Sequence, residues 1–326
     1  MKLSLIIPCY NEQDNIFPFF KETVTAFQEM PKDIKSFEFI FVNDGSTDST
    51  SQKLKELHSS YPNYVSVVEF SRNFGKEAAM YAGLRHATGD FVTIIDADLQ
   101  QRPEIVVNMV NHLLENENYD MVAAYQDQRR ESKFMSFMKK CFYKCINKTS
   151  DIEFFQGASD FRTFRRCVCD AILNLPEYYR FSKGIFAWIG FNTYYLPYMA
   201  EERHSGESKW SFFKFVKYAL DGIIAFTTLP LKIATGAGFF TFLASILYMF
   251  IVIIQKIFFG VDVPGYATIV VLILFLGGLQ LLLLGIVGEY LARTYIQGKN
   301  RPIYIEKNVL KAKEKMIYNE EDNQSL

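Results

Sequence analysis

The chain has 326 residues, of which 49% are hydrophobic, and a formal net charge of −1 at pH 7. A near-neutral charge without a basic tract excludes the electrostatic footprint of a nucleic-acid-binding protein, so we expect no nucleic acid partner. Five cysteines are an odd number, and the first apolar run, Leu3–Ile7, is too short for a signal peptide and meets Pro8 at once. These features favour free thiols over a disulfide framework, and a cytosolic location for the first part of the chain.

Apolar, β-prone runs, each followed by a polar loop, predict a series of strands in the first part of the chain. The predicted strands are Leu3–Ile7, Phe37–Val42, Val65–Phe70, Phe91–Ile95 and Tyr119–Tyr125, and the first predicted helix is Asn15–Glu29. Because strands alternate with helices, we expect an α/β fold with a mainly parallel sheet and right-handed crossovers. The polar loops after the first four strands then lie at one edge of the sheet, which predicts one continuous site.

The fourth predicted strand ends in two carboxylates and an amide, Asp96, Asp98 and Gln100. Their oxygen atoms are hard ligands of the kind that Mg²⁺ or Mn²⁺ prefers, and a metal bound there would neutralise the diphosphate of a departing nucleotide. A lone Asp-x-Asp also occurs as an ordinary exposed acidic turn. The motif therefore depends on the other loops for its interpretation.

Three residues of the other loops suit a nucleotide diphosphate. Asp44 follows the second strand, where acidic side chains bind ribose or base, although it would also form a turn well. Glu12 could bind ribose or cap the first helix. Lys76 stands at a helix start, where the helix dipole disfavours a cation, so a phosphate beside it would explain its position.

Four motifs occur in order along these loops: Ile7-Pro8-x-Tyr10-Asn11-Glu12, Val42-x-Asp44-Gly45-Ser46-x-Asp48, Asn73-x-Gly75-Lys76 and Asp96-Ala-Asp98-Leu-Gln100-x-x-Pro103-Glu104. Together they resemble the family-2 glycosyltransferases with the Rossmann-like GT-A fold. Within that family they are most similar to the polyprenyl-phosphate glycosyltransferases, a group that includes dolichol-phosphate mannose synthase and bacterial bactoprenol glucosyltransferases. The resemblance implies a nucleotide pocket lined by Pro8, Tyr10, Glu12 and Asp44, and a divalent metal held by Asp96, Asp98 and Gln100.

The resemblance also implies that Asp160, which precedes a helix predicted at Arg166–Leu173, lies by the acceptor, where the family's aspartate is often assigned as a catalytic base. A lipid monophosphate is already largely deprotonated at pH 7, so Asp160 could instead orient a sugar hydroxyl or a basic residue, or cap the helix. Asp160 and the metal ligand Asp98 are our candidate catalytic residues. The candidate cations for the acceptor phosphate and the diphosphate are Arg129, Arg180, Arg203 and Lys209.

Two long apolar runs follow, at residues 233–254 and Tyr266–Gly288. The first would form a helix of about 33 Å, and the hydrocarbon core of a bilayer is roughly 30 Å thick, so both runs predict membrane spans. Lysine and arginine flank the pair, whereas Lys256 is the only cation between the spans. The positive-inside rule then places both termini and the catalytic domain in the cytoplasm, with the chain multi-pass in the plasma (inner) membrane.

Two segments, Phe134–Lys148 and Trp210–Phe226, have an apolar face and a lysine face, which suits either an anionic membrane surface or packing on the protein core. We expect four regions. They are a GT-A domain at 1–210, an interfacial amphipathic helix at 211–227, two transmembrane helices at 228–290 and a cytosolic C-terminal extension at 291–326.

The expected activity is metal-dependent, inverting transfer of one hexose, most readily glucose from UDP-glucose, onto undecaprenyl or another polyprenyl phosphate at the cytoplasmic face. The product would be a lipid-linked sugar for cell-envelope glycans. The sequence leaves open another donor such as UDP-GlcNAc, as well as contacts between subunits through the paired spans. A processive polysaccharide synthase is disfavoured because the chain lacks Gln-x-x-Arg-Trp. A non-catalytic membrane adaptor that recruits a flippase would have no need of the acidic cluster.

Overall fold

The computed structural model describes residues 1–126, 147–148, 155, 157–199, 224, 227–259 and 265–313. The strands are β1 (Lys2–Cys9), β2 (Ser36–Asn43), β3 (Val65–Phe70), β4 (Phe91–Ile94), β5 (Met121–Gln126), β6 (Ala158–Arg165), β7 (Thr193–Tyr198) and β8 (Glu306–Leu310). The helices are α1 (Ile16–Ala26), α2 (Thr50–Ser60), α3 (Lys76–His86), α4 (Glu104–Glu115), α5 (Arg166–Leu173), α6 (Ser182–Trp188), α7 (Leu229–Phe259) and α8 (Tyr266–Gly298). The predicted first helix ends earlier than expected, and a 3₁₀ turn covers Phe27–Glu29.

The strands form one sheet in the order β7-β5-β6-β4-β1-β2-β3-β8. β1 pairs in parallel with β2 on one side and with β4 on the other, and β2 pairs in parallel with β3. The predicted parallel arrangement of the first four strands is therefore confirmed. Their loops leave the sheet at the same edge. β2 and β3 follow one another on one side of β1, and β4 lies on the other side, so the strand order reverses at β1.

Both faces of the sheet are covered by helices, as a buried parallel sheet requires. On β2, Phe39 and Phe41 pack into the core beneath α1, α2 and α4, whereas Ile40 and Val42 pack on the other side, against α3, α5 and α6. This is why the strands appear as nearly continuous apolar runs in the sequence.

β6 was not predicted from the sequence. It pairs antiparallel with both β4 and β5. Its polar and charged residues hide the strand pattern, and the structure accommodates them individually. Arg162 is buried and stacks on Phe186, while Arg165 donates hydrogen bonds to the carbonyl oxygens of Tyr119 and Leu113.

The two C-terminal helices, α7 and α8, expose their apolar side chains. Residues Leu229–Gln255 and Val271–Gly298 have mean hydropathies of 2.4 and 2.5, and the most apolar stretch of each is 0% buried. Both helices are long and apolar enough to cross a membrane. The segment 134–146 lies outside the described residues, as does most of the interfacial helix expected at 211–227.

The chain after α8 returns to the sheet. β8 pairs antiparallel with β3 at the sheet edge, and the amide of Ser71 donates a 3.0 Å hydrogen bond to the carbonyl oxygen of Ile305. Part of the segment expected as a separate extension thus forms an edge strand of the α/β sheet.

Candidate active site

The loops that follow β1 and β2 are joined by hydrogen bonds at the carboxyl edge of the sheet. The amide of Asn11 donates to Ser46 Oγ at 3.0 Å, and Asn11 Oδ1 accepts from the amide of Thr47 at 2.9 Å. The amide of Glu12 donates to Thr50 Oγ1 at 2.8 Å. The predicted single edge is therefore one connected set of loops, at the point where ligands bind in open α/β sheets.

Asp44 connects this set to the loop after β3. Its carboxylate is buried and accepts hydrogen bonds from the amides of Phe74 at 2.6 Å and Gly75 at 2.9 Å. Burial raises the pKa of Asp44, although these two hydrogen bonds and the charge of Arg72 oppose the rise. Sequence reasoning did not anticipate this structural role, which orders the turn before Lys76.

Gly45 is required by the close approach of the same loop. Its φ is +64°, and a Cβ atom there would lie 2.4 Å from the carbonyl carbon of Arg72 and 2.6 Å from the nitrogen of Asn73. Both atoms belong to the backbone and cannot move aside as a flexible side chain would. A residue with a side chain therefore cannot occupy this position without displacing the third loop.

The remaining residues of the expected nucleotide pocket lie at the end of β1. Pro8 is on the strand beside Val42, and Tyr10 is 36% exposed. Glu12 Oε2 accepts a 2.6 Å hydrogen bond from Asn15 Nδ2, just before α1. The structure thus places Pro8, Tyr10 and Glu12 beside the loop of Asp44.

The acidic motif after β4 forms a tight turn. Leu99 has a φ of +60°, and Asp98 Oδ1 accepts a 3.2 Å hydrogen bond from the amide of Gln100. Gln101, which sequence reasoning missed, is buried beneath the turn. Its Oε1 accepts from the amide of Asp96 at 3.0 Å, and its Nε2 donates to Asp96 Oδ2 at 3.3 Å. Gln101 therefore orients the first carboxylate of the motif.

Lys76 lies against that carboxylate. Its Nζ is 2.6 Å from Asp96 Oδ1 and 2.8 Å from Oδ2, and 3.7 Å from Asp160 Oδ2. Burial would lower the pKa of Lys76, but the charges of Asp96 and Asp160 outweigh it and raise that pKa. In this structure two carboxylates, those of Asp96 and Asp160, lie beside the helix start where the sequence predicts a phosphate.

Asp160 reaches the site through β6. Ile94 of β4 pairs with Arg162 of β6, and continuing this antiparallel register places Asp160 opposite Asp96. Burial alone would raise the pKa of Asp160, but the charges of Lys76, Lys183 and Arg162 hold it below its usual range. Asp160 Oδ1 is buried without a hydrogen-bond partner among the residues that the structure describes. One oxygen of an ionised carboxylate is thus left to accept a hydrogen bond.

A third carboxylate near Lys76, that of Glu77, was also missed from the sequence. Glu77 Oε2 accepts hydrogen bonds from the amide of Ser182, at 3.0 Å, and from its hydroxyl group. Burial and the charge of Asp160 raise the pKa of Glu77 to about 7. This contact fixes the start of α6, and with it Lys183, beside Asp160.

Arg180 is partly buried against α3. Its guanidinium lies 4.3 Å from the ring centroid of Tyr81, and Nη1 donates a 2.7 Å hydrogen bond to the carbonyl oxygen of Leu175. Burial lowers the pKa of Arg180. The other candidate cations, Arg129, Arg203 and Lys209, lie outside the described residues.

The candidate metal ligands consist of two carboxylates and one amide, those of Asp96, Asp98 and Gln100. Within the described ranges, no group of three or more His, Cys, Asp or Glu side chains is arranged to hold a metal ion. Asp96 nevertheless binds a cation in this structure, because both of its oxygens contact the ammonium group of Lys76. The donor set fits a hard divalent ion that completes its shell with phosphate and water oxygens.

Comparison with known proteins agrees with this geometry. The family described as Glycosyl transferase family 2 matches residues 4–173, and the GtrB C-terminal hairpin matches residues 229–294. The bactoprenol glucosyl transferase of Shigella phage SfV is 42% identical over 94% of this chain and 99% of that protein. The prophage bactoprenol glucosyl transferase homolog of Escherichia coli K12 is 40% identical over 95% of this chain and 100% of that protein.

A third relative, an uncharacterized glycosyltransferase (sll0501) of Synechocystis, is 42% identical over 94% of each chain. These matches extend over both the α/β domain and the two apolar helices. The expected family is thereby confirmed. The chain is a member of glycosyltransferase family 2.

Proposed function

We propose that this glycosyltransferase moves a single glucose from UDP-glucose onto undecaprenyl phosphate or a similar polyprenyl phosphate, with inversion at the anomeric carbon. The observation that carries the proposal is the joining of an acidic turn, at Asp96 and Asp98, with a helical hairpin of membrane length in one chain. The names of the phage and Escherichia coli relatives support glucose and bactoprenol as the two substrates.

The nucleotide would bind across the loops after β1 and β2, with Pro8, Tyr10, Glu12 and the segment ordered by Asp44 as its pocket. Asp96, Asp98 and Gln100 would hold Mg²⁺ or Mn²⁺, which when bound supplies Lewis-acid stabilisation of the leaving UDP. Lys76 adds a second positive charge at the same place, since its ammonium group already lies within 2.8 Å of both Asp96 oxygens.

Asp160 would act on the acceptor side. A polyprenyl phosphate is largely deprotonated at pH 7, so it can attack the anomeric carbon without giving up a proton to a base. The lowered pKa of Asp160 keeps its carboxylate ionised, and its buried Oδ1 is placed to accept a hydrogen bond. We therefore favour a sugar hydroxyl as the partner of Asp160, which orients the donor for in-line attack.

Positively charged side chains beside the acceptor would bind the lipid phosphate and position it for attack. Arg180 and Lys183 flank the start of α6, and Arg129, Arg203 and Lys209 are proposed for the same task from the sequence alone. Such cations act through electrostatic positioning and involve no covalent intermediate.

The apolar helices would anchor the domain in the plasma membrane with the site and both termini in the cytoplasm, where nucleotide sugars are found. The glycolipid would then stand in the cytoplasmic leaflet. A flippase would have to act next if the sugar modifies the outer envelope, and the paired helices leave room for contacts between subunits.

The proposal is tested with membranes that contain the full-length protein, polyprenyl phosphate and a panel of labelled nucleotide sugars. We expect UDP-glucose to label the lipid, and Asp98→Asn to lower transfer by at least about 100-fold, since a charged metal ligand is lost without any change of shape. Asp33→Asn, an exposed position before β2, is the matched control.

Full transfer by Asp98→Asn would contradict the metal assignment. Labelling from a different nucleotide sugar would reassign the donor. No labelling from any donor, with folded wild-type protein, would favour the non-catalytic adaptor.

A further inference from the structure

A cleft of about 640 Å³ lies outside the strand-end loops, where α3, the end of α8 and the chain leading to β8 meet. Tyr81, Arg85 and His86 of α3 form one wall, and Gln297, Arg301 and Tyr304 contribute to the other. None of the residues discussed for the donor or the metal lines it. The cleft joins the α/β domain to the end of the second apolar helix.

The walls of the cleft are held by specific contacts. Gln297 Nε2 donates a 3.0 Å hydrogen bond to the carbonyl oxygen of Pro176, and Gln297 Oε1 accepts a 2.8 Å hydrogen bond from the amide of Tyr178. Tyr304 is buried and stacks on Phe70, with ring centroids 4.9 Å apart. The end of α8 is thus fixed to the loop after α5, and the returning chain is fixed to β3.

Positive charge dominates the cleft. Arg85, Arg301 and Lys311 line it and are exposed, and none of them takes part in the ion pairs found among the described residues. Glu306, the acidic residue of the lining, contacts a histidine of the cleft, with its Oε1 2.8 Å from His86 Nε2. Three cations therefore share one concave surface with a single carboxylate, so the lining keeps a net positive charge.

Cations that line one cleft repel one another, and a bound anion relieves that repulsion. Two of the three are arginines, whose planar guanidinium groups match the oxygens of a phosphate in paired hydrogen bonds. Tyr81 and Tyr178 and the amide of Asn300 add further donors and apolar surface around them.

The position of the cleft along α8 determines which anions can reach it. The apolar run of α8 ends at Gly288, and Gln297 lies about 14 Å further along the helix at 1.5 Å per residue. The cleft would then lie on the water side of the bilayer, within reach of the headgroup layer if α8 is tilted. Both a lipid headgroup and a soluble phosphate can approach it there.

We propose that the cleft formed by Arg85, Arg301 and Lys311 binds a phosphate group, carried either by an anionic phospholipid headgroup or by a small soluble anion. The bound phosphate would join α3, α8 and the chain leading to β8, and so would steady the catalytic domain on its membrane hairpin. This site is independent of the proposed transfer reaction.

The test uses the full-length protein in a neutral detergent, titrated separately with inorganic phosphate and with dihexanoyl-phosphatidylglycerol. Binding is followed by isothermal titration calorimetry and by the thermal midpoint. The variant R85Q/R301Q/K311Q removes the three cleft charges, and K21Q/K32Q/K35Q removes the same number of exposed charges near α1 and β2. We expect saturable binding that is at least tenfold weaker in the cleft variant and unchanged in the control.

Binding of the lipid alone identifies a headgroup site, and equal binding of inorganic phosphate identifies a site for soluble anions. If the triple variant does not fold, Arg301→Gln alone should weaken binding about threefold, since this side chain is exposed and forms no ion pair among the described residues. Absence of saturable binding by the wild type, or equal affinity in the wild type and the cleft variants, would overturn the proposal.

Discussion

Apolar side chains have opposite surroundings in the α/β domain and in the C-terminal hairpin. Phe39 and Phe41 of β2 are fully buried, whereas Phe240 of α7 and Leu281 of α8 are 71% and 72% exposed. So large an exposed apolar surface is unusual for a region that faces water, and both helices are long and apolar enough to cross a membrane. The comparison teaches that one chain contains two regions that place their apolar side chains in opposite ways. The domain buries its apolar residues in a core, whereas the hairpin satisfies its backbone hydrogen bonds within helices and leaves its apolar side chains outside, as a membrane-spanning hairpin would.

The largest expected effect is on the free energy of unfolding, when one phenylalanine from each region is replaced by alanine. Phe41→Ala should lower the free energy of unfolding of the α/β domain by about 3–5 kcal/mol, because it leaves a cavity in a closely packed core. Phe240→Ala should change it by less than about 0.5 kcal/mol, because that side chain does not contact the domain core. Chemical denaturation of the full-length protein in detergent, followed by near-ultraviolet circular dichroism, measures both values. Similar losses in the two variants would contradict the division into two regions.

A polar change within the domain should affect activity more than stability. Gln101→Ala removes both hydrogen bonds that orient Asp96, so we expect kcat/KM for sugar transfer to fall about 10- to 100-fold. The control, Gln52→Ala, removes an exposed glutamine on α2 that donates a hydrogen bond to Glu56 in the next turn of the same helix. Thermal unfolding checks that the fold survives. An unchanged kcat/KM would mean that the position of Asp96 does not depend on Gln101.

The stability of the α/β domain should depend on acidic pH, whereas that of the hairpin should not. Glu38 accepts hydrogen bonds from Lys2, Ser4 and Thr88. Burial would raise its pKa, but these hydrogen bonds, together with the charge of Lys2, lower the pKa of Glu38. Its stabilising contribution is therefore complete above the unfolded-state pKa of about 4.3, and is lost as the pH falls through the folded-state pKa.

We expect Glu38→Gln to flatten the acid limb of the thermal midpoint of the α/β domain, measured between about pH 3 and pH 7. The helical signal of the hairpin should not respond in this pH range, since residues 233–254 and 266–288 contain no Asp, Glu, His, Lys or Arg. An acid limb as steep in the variant as in the wild type would show that other carboxylates dominate.

The smallest expected effect concerns the joint between the regions. Gln297→Ala removes the acceptor of the Tyr178 amide. It should lower the free energy of local opening at that amide by about 1 kcal/mol or less. Hydrogen exchange at Tyr178 measures this change, and Gln255→Ala on α7 is the control. Undiminished protection would mean that the domain and the hairpin are joined elsewhere.

Several features of the site could be predicted because they depend on local sequence. Asp44, Lys76 and Asp96 each follow a β-prone run, and parallel strands bring such loops to one edge whatever the details of packing. The missed residues, Gln101 and Glu77, gave no signal in the sequence. An amide next to another amide, and a glutamate at a helix start, acquire a role only when a partner such as Ser182 is brought near from a distant segment.

The amino-acid sequence by itself determined the parallel strands β1 to β4, the acidic turn and the two apolar helices, because continuous apolar runs and the length of a helix are properties of neighbouring residues. Only the tertiary structure decided that β6 runs antiparallel beside β4 and sets Asp160 against Lys76 and Asp96, and that the chain after α8 returns as β8. Pairing between distant segments is selected by register and by the burial of both partners together. Alternating charged residues such as Arg162 carry no local mark of that choice.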